Sequence, residues 1–161
     1  MLEDTLGTLK LLSVLGCGLM AGVFFAFSTF VMKALEGLPP AHGISAMQRI
    51  NVAVINPLFM AAFLGTAAAC ALLAVFSLSR LRDPGARYVL IGSAVYLVGT
   101  VLVTMACNVP RNDALAAVDP ASLDSARLWA AYVRGWTAWN HVRGAAALLA
   151  AALLVIGGRV S

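Results

Sequence analysis

Residues Gly144 to Ile156 form an unbroken apolar run of 13 residues, and Asn140-His141-Val142-Arg143 stands directly before it. A helix needs roughly 20 apolar residues to cross the hydrocarbon core of a bilayer. A spanning helix here must therefore draw in residues back to Val142 or beyond, which places Arg143, His141 and Asn140 at or below the interface. Polar and ionisable groups at that depth are costly and mark functional candidates by default. The rest of the chain agrees with a membrane setting. Only 11% of its residues are charged, against about 25% in an ordinary soluble domain.

Three further spans are readable, giving a single four-helix transmembrane domain over residues 1–161 with spans near 9–32, 57–78, 88–106 and 137–157. The first is rich in glycine and then in phenylalanine, and Phe27 is its candidate cavity-lining ring. Its Gly18-Leu19-Met20-Ala21-Gly22 has the small-xxx-small spacing that lets helices approach closely. Packing within the chain is the expected use, a homo-oligomer seam the alternative. No early segment ends in a small-residue cleavage site, so the first span is not expected to be a removable signal.

Leu38-Pro39-Pro40 stops that helix, because proline has no amide donor and restrains the residue before it. Apolar residues then recur at Ile44, Met47, Ile50 and Val54. The spacing predicts a short amphipathic helix between spans 1 and 2, lying on the membrane or capping the bundle. Asn56-Pro57 opens the second span as N-cap and first-turn proline. Asn108-Val109-Pro110-Arg111-Asn112-Asp113 begins a longer polar connection after the third. Asp119-Pro120 then reads as a second cap, opening an extended fourth helix.

The overall reading is an all-α integral membrane protein, an up-down bundle of four transmembrane helices. Arg80, Arg82 and Arg87 in the middle turn favour the cytoplasm for that turn and for both termini, in a bacterial inner membrane. The net charge of +4 is spread over loops and helix ends rather than gathered on one face, so nucleic acid is not an expected partner.

In such a bundle the first and third connections share one end. Asn51, Asn56, Asn108, Arg111, Asn112, Asn140, His141 and Arg143 all map there. Ligand sites in bundles lie between facing helices, so a pocket is expected to open at that end. On the long helix, Trp129, Tyr132, Trp136, Asn140 and Arg143 follow steps of 3, 4, 4 and 3 and share one face. Trp129 and Tyr132 suit either a pocket or an interfacial aromatic belt. Trp136, Asn140 and Arg143 suit a pocket better, since an arginine that merely snorkels to phosphate needs no asparagine beside it. His141 points about 100° away from Asn140 on a helix of 3.6 residues per turn.

Other chemistries are poorly served. His141 has no second histidine at metal-ligand spacing, and Cys17, Cys70 and Cys107 are scattered, so neither a metal nor a disulfide is expected. Glycine-rich phosphate loops and nucleophile elbows are missing. The second and third spans carry no charge to couple transport to an ion.

Asn56-Pro57, Asn108-Val109-Pro110-Arg111-Asn112 and Trp136-Thr137-Ala138-Trp139-Asn140-His141-Val142-Arg143, in that order, resemble a family of small four-helix membrane proteins. It is known as a domain of unknown function or as anthrone oxygenase-like. The resemblance runs over essentially the whole chain. It implies a cofactor-independent oxygenase acting on a flat apolar phenol or anthrone, as some fungal relatives oxidise anthrones to anthraquinones with molecular oxygen. On that reading His141 is the candidate base, and Arg143, Asn140 and Asn108 stabilise charge on oxygen. Trp136, Trp139, Tyr132, Phe27 and Asn56 are candidate binding residues, with Arg111 and Asn112 at the pocket mouth. The alternative is a non-catalytic membrane protein that binds a quinone, a lipid or a partner helix in the same place.

Overall fold

The computed structural model describes residues 2–160 and is all-helical among them. α1 covers residues 2–36, running as Leu2–Ala26, a π-helical turn at Phe27–Val31 and a last α-turn at Met32–Glu36. α2 is Pro40–Ala53 and α3 is Pro57–Leu78. α4 covers residues 84–116, with π-helical turns at Leu97–Leu102 and Thr104–Asn108. α5, Ser125–Arg159, runs for 35 residues without a break in α-geometry. α1, α3, α4 and α5 are each long and apolar enough to cross a bilayer. They form a ring in which α5 lies between α1 and α4, and α3 closes against those same two helices. The expected four-helix membrane bundle is therefore the observed one.

Its outer surface explains itself only in lipid. Leu15, Leu19, Phe25, Val75 and Leu148 are all more than half exposed, and a contiguous greasy surface of that extent is incompatible with water. Inside, Cys17, Met20 and Phe24 meet Phe63, Cys70, Leu73, Val89, Tyr96, Ala147, Ala150 and Leu154. The α5 contribution is small-residue, which allows close helix approach where apolar association has no hydrophobic drive. Gly157 is the tightest example: a Cβ there would lie 2.8 Å from the Gly85 carbonyl.

Two expectations about connections are corrected. Asn108–Asp113 is not a connection but the continuation of α4. The preceding π turn accommodates Pro110, because Val109 N reaches back five residues to Thr104 O and the missing proline amide falls at the return to α-geometry. Asp119-Pro120 does not open α5. Asp119 Oδ1 accepts from Ala121 N at 2.9 Å in a local turn, and the helix begins at Ser125. Asn56 does cap α3 as expected, accepting from Phe59 N at 3.0 Å.

Gly18 and Gly22 are exposed, and a Cβ at either would meet nothing within 4 Å. The expected intramolecular seam is made instead by Gly16, which lies against the Thr66 side chain of α3. The amphipathic α2 caps the bundle. Ile44 and Met47 are buried with Met32, Leu115, Trp129, Val133 and Trp136. Gln48 Nε2 donates to Leu115 O at 2.9 Å and Val118 O at 3.0 Å, covering carbonyls at the end of α4.

Gly157→Ala should lower stability in detergent by about 1–3 kcal/mol, since the neighbouring Gly85 backbone cannot yield. Gly18→Ala should leave it unchanged. Equal unfolding midpoints for the two variants would contradict this packing.

Candidate functional site

Arg143 is only 6% exposed. It lies roughly 24 Å from the Arg159 end of α5 at 1.5 Å per residue, within a hydrocarbon core about 30 Å thick. Its charge is met without a carboxylate among the described residues. Nη2 donates to Asn140 Oδ1 at 2.5 Å and Nη1 to Thr104 Oγ1 at 3.2 Å. The guanidinium carbon sits 4.3 Å from the Phe24 ring centre and 5.2 Å from that of Trp136, an arrangement in which both π-faces attract the cation. Nε is buried without a partner.

The neighbouring helices are shaped around this group. Asn140 is fully buried, and its Nδ2 donates to Phe24 O at 2.7 Å and Ser28 Oγ at 2.6 Å. Ser28 belongs to the π turn of α1. On α4, Thr100 Oγ1 donates to Arg143 O at 3.2 Å from within the first π turn, and Thr104 lies in the second. A π turn widens a helix by one residue and re-aims the side chains beside it, and such turns are frequent at functional sites.

Beside Arg143 is a cavity of about 330 Å³. Phe24 and Phe27 of α1, Phe59 and Phe63 of α3, and Trp136 of α5 supply aromatic walls. Ile50 and Asn51 of α2, with Val54 just after it, cover its top. Polar groups in the lining are few: Arg143, Thr104, Asn51 and Asn112. The exposed Leu64, Met105 and Val109 also line it, so it opens sideways between α3 and α4 toward lipid. The pocket sits at the expected end, but its mouth is lateral because α2 occupies the end itself.

A chain of rings leads into this cavity along α5. Trp129 stacks on Tyr132 at 5.7 Å, Tyr132 on Trp136 at 6.4 Å, and Trp136 meets Phe27 at 5.8 Å. Asn112 Oδ1 fixes two of them, accepting from Tyr132 Oη at 3.0 Å and Trp136 Nε1 at 2.9 Å. Asn51 Nδ2 donates to Tyr132 Oη at 3.5 Å. Asn112 Nδ2 makes no hydrogen bond among the described residues, so a donor remains at the cavity wall.

The sequence candidates therefore divide. Arg143, Trp136, Phe27 and Asn112 line the cavity, and Asn140 and Tyr132 stand behind it. Trp129 and Tyr132 are packed under α2 rather than forming an interfacial belt. Asn108 is buried between α4 and α5, donating to Trp136 O at 3.2 Å while its Oδ1 has no partner. His141 is exposed on a different face of α5, in a shallow groove against Phe25 and Leu148. The 100° step along the helix carries it away from Arg143. Arg111 lies over Gly135 outside the cavity and donates to Cys107 O at 2.5 Å. Trp139 is half-buried and absent from the lining, and Asn56 is spent on its cap. Phe24, Thr100, Thr104 and Ser28 escaped the sequence reading. The signal available was the i, i+4 pair Thr100 and Thr104 inside an otherwise apolar span.

Residues 58–153, well over half of the chain, match the family described as anthrone oxygenase. The chain belongs to the anthrone oxygenase family. No curated protein and no solved structure matches it significantly. The matched segment contains α3 from its second residue, α4 and all but the last six residues of α5, whereas the α1 and α2 parts of the cavity lie before it. Family membership is consistent with oxygenase-like chemistry in a bundle of membrane helices.

Asn140→Leu should cost about 1–3 kcal/mol, because it removes the acceptor that holds a buried cation and leaves two acceptors on α1, Phe24 O and Ser28 Oγ, without their donor. Asn56→Ala should cost about 1 kcal/mol through the lost cap alone. Chemical unfolding of both in detergent checks the ranking. The reverse order would contradict the Arg143 network.

Proposed function

We propose that the protein is a membrane-embedded oxygenase for a flat, apolar, ionisable aromatic of the phenol or anthrone type, entering sideways from the bilayer. One observation carries this reading. An arginine without a counter-ion lines an otherwise aromatic and aliphatic cavity. Such a site binds the anion of an aromatic substrate much better than its neutral form, because charges interact strongly where water is excluded.

For an anthrone the chemistry balances without any further reactant. Loss of a ring CH₂ proton gives a delocalised anion whose negative charge rests largely on oxygen. That anion gives one electron to molecular oxygen, the resulting carbon radical and superoxide combine to a peroxide anion, and this takes up one proton, equal to the one lost at the start, to give the hydroperoxide. Loss of water then gives the quinone, so one anthrone and one oxygen molecule yield one anthraquinone and one water. Arg143 and the free Asn112 amide would hold the anionic oxygen. Phe27, Trp136 and Phe63 would fix the ring plane, and the apolar walls would exclude water.

His141 is not retained as the base, since it faces a separate groove. The acidity of the substrate would instead rise through its contact with Arg143. The location in a bacterial inner membrane with cytoplasmic termini and the single-domain organisation stay part of this proposal.

Aerobic oxidation of a simple anthrone by the purified protein tests it. Arg143→Met should lose activity by about 100-fold or more, the loss expected when an oxyanion donor is removed. Arg127→Ala, on the exposed start of α5, should match the parent. His141→Phe should retain activity. No rate above autoxidation in the parent would leave the alternative, a cavity that binds a quinone or lipid without turnover.

A further inference from the structure

A second cavity, also of about 330 Å³, lies at the opposite end of the bundle between α1, α3 and α4. Lys10 and Arg80 line it together with Ser77 and Asp83. Neither cation pairs with a carboxylate among the described residues. Asp83 is engaged through Oδ1, which accepts from Gly85 N at 2.8 Å and caps α4. Ser77 is 95% buried, counting its 5% exposure, and its hydroxyl makes no hydrogen bond among the described residues. Leu73 and Val89 form the apolar inner wall of the cavity, and Leu6 and Phe76 also line it.

The level of the cavity matters as much as its charge. α3 ends at Leu78, so Arg80 stands just beyond the last spanning residue. Lys10 stands at the start of the apolar part of α1, directly after Leu9. Two cations with no carboxylate partner among the described residues and the hydroxyl of Ser77 thus converge where a bilayer carries its phosphates, above a wall that suits the glycerol and upper acyl carbons. Arg82 and Arg87 in the same turn add to the positive potential. A basic pocket between helices at the membrane surface recognises an anionic headgroup by this combination of charge and depth.

We propose that this cavity is a binding site for the phosphodiester headgroup of an anionic membrane phospholipid, held by Lys10, Arg80 and Ser77. The lipid seats the α1, α3 and α4 ends together, far from the Arg143 cavity. This assignment is independent of the oxygenase reading, since it involves none of the same residues.

Native mass spectrometry of the full chain in neutral detergent tests it, with phosphatidylglycerol, phosphatidylcholine and inorganic phosphate as separate probes. Phosphatidylglycerol should bind at least about tenfold more tightly than phosphatidylcholine, the order expected from two cations near a membrane surface. That preference should fall below about twofold in Lys10→Gln/Arg80→Gln and survive in Arg127→Gln/Arg134→Gln. Ser77→Ala, a milder change, should weaken phosphatidylglycerol binding about threefold, roughly the share of a single neutral hydrogen bond. Equal binding of the two lipids, a preference that survives loss of both cations, or equally tight binding of phosphate alone would each overturn the proposal.

Discussion

A buried guanidinium without a counter-ion is the constraint around which this bundle is arranged. An isolated charge taken out of water carries a penalty of several kcal/mol even after relaxation. Here the penalty is offset by two hydrogen bonds and two aromatic faces rather than by an acid. Each of those partners comes from a specific place: Asn140 from the same helix, Thr104 from α4, Phe24 from α1 and Trp136 about two turns before Arg143 on α5. Remove the charge and there is little reason for α1 and α4 to carry π turns at that level. The two halves of the bundle differ accordingly, with regular small-residue packing toward Gly157 and distorted, polar-lined packing around Arg143.

α2 completes that arrangement. Without it, the rings of Trp129 and Tyr132 would stand at the bundle end in contact with headgroups and water. With it, Gly43 lies so close to the Trp129 ring that a Cβ would come within 2.8 Å, and Tyr132 is pressed toward Asn112. The Asn112 amide oxygen then orients Trp136, and Trp136 forms both a wall of the cavity and a face for the Arg143 cation. Capping helix, ring chain and buried charge form one mechanical series. The closed end leaves only a sideways path, which suits a ligand already dissolved in the bilayer.

Much of this was legible in the sequence because membrane spans have a strong signal. Helix α3 was bounded correctly by Asn56-Pro57 and by the loss of apolar residues after Leu78. The face shared by Trp136, Asn140 and Arg143 followed from spacing alone. Identical dipeptides misled where context decided: Asp119-Pro120 forms a turn, whereas Asp83-Pro84 caps α4. Pro110 looked like the end of a span, yet a π turn absorbs it, and nothing in local composition announces a π turn. The placing of His141 shows the limit on the site itself. It directly follows Asn140, but the helix turns it onto another face, so nearness in a motif does not establish nearness to the cavity.

The charge has a consequence for which state of a ligand the cavity favours. A neutral aromatic gains contact with Phe27, Trp136 and Phe63 but leaves the Arg143 penalty where it was. An aromatic anion gains the same contacts and also supplies the missing counter-charge, at a depth where the effective dielectric is far below that of water. On the proposed function, the site would therefore discriminate between two protonation states of one molecule by electrostatics rather than by shape. For any reaction that passes through such an anion, this differential binding is the part that accelerates it, since equal stabilisation of neutral substrate and anion would change affinity alone. A carboxylate beside Arg143 would have made the bundle easier to fold and would have cancelled that preference. The unpaired state of the arginine is thus better understood as the source of the site's selectivity than as a defect in its packing.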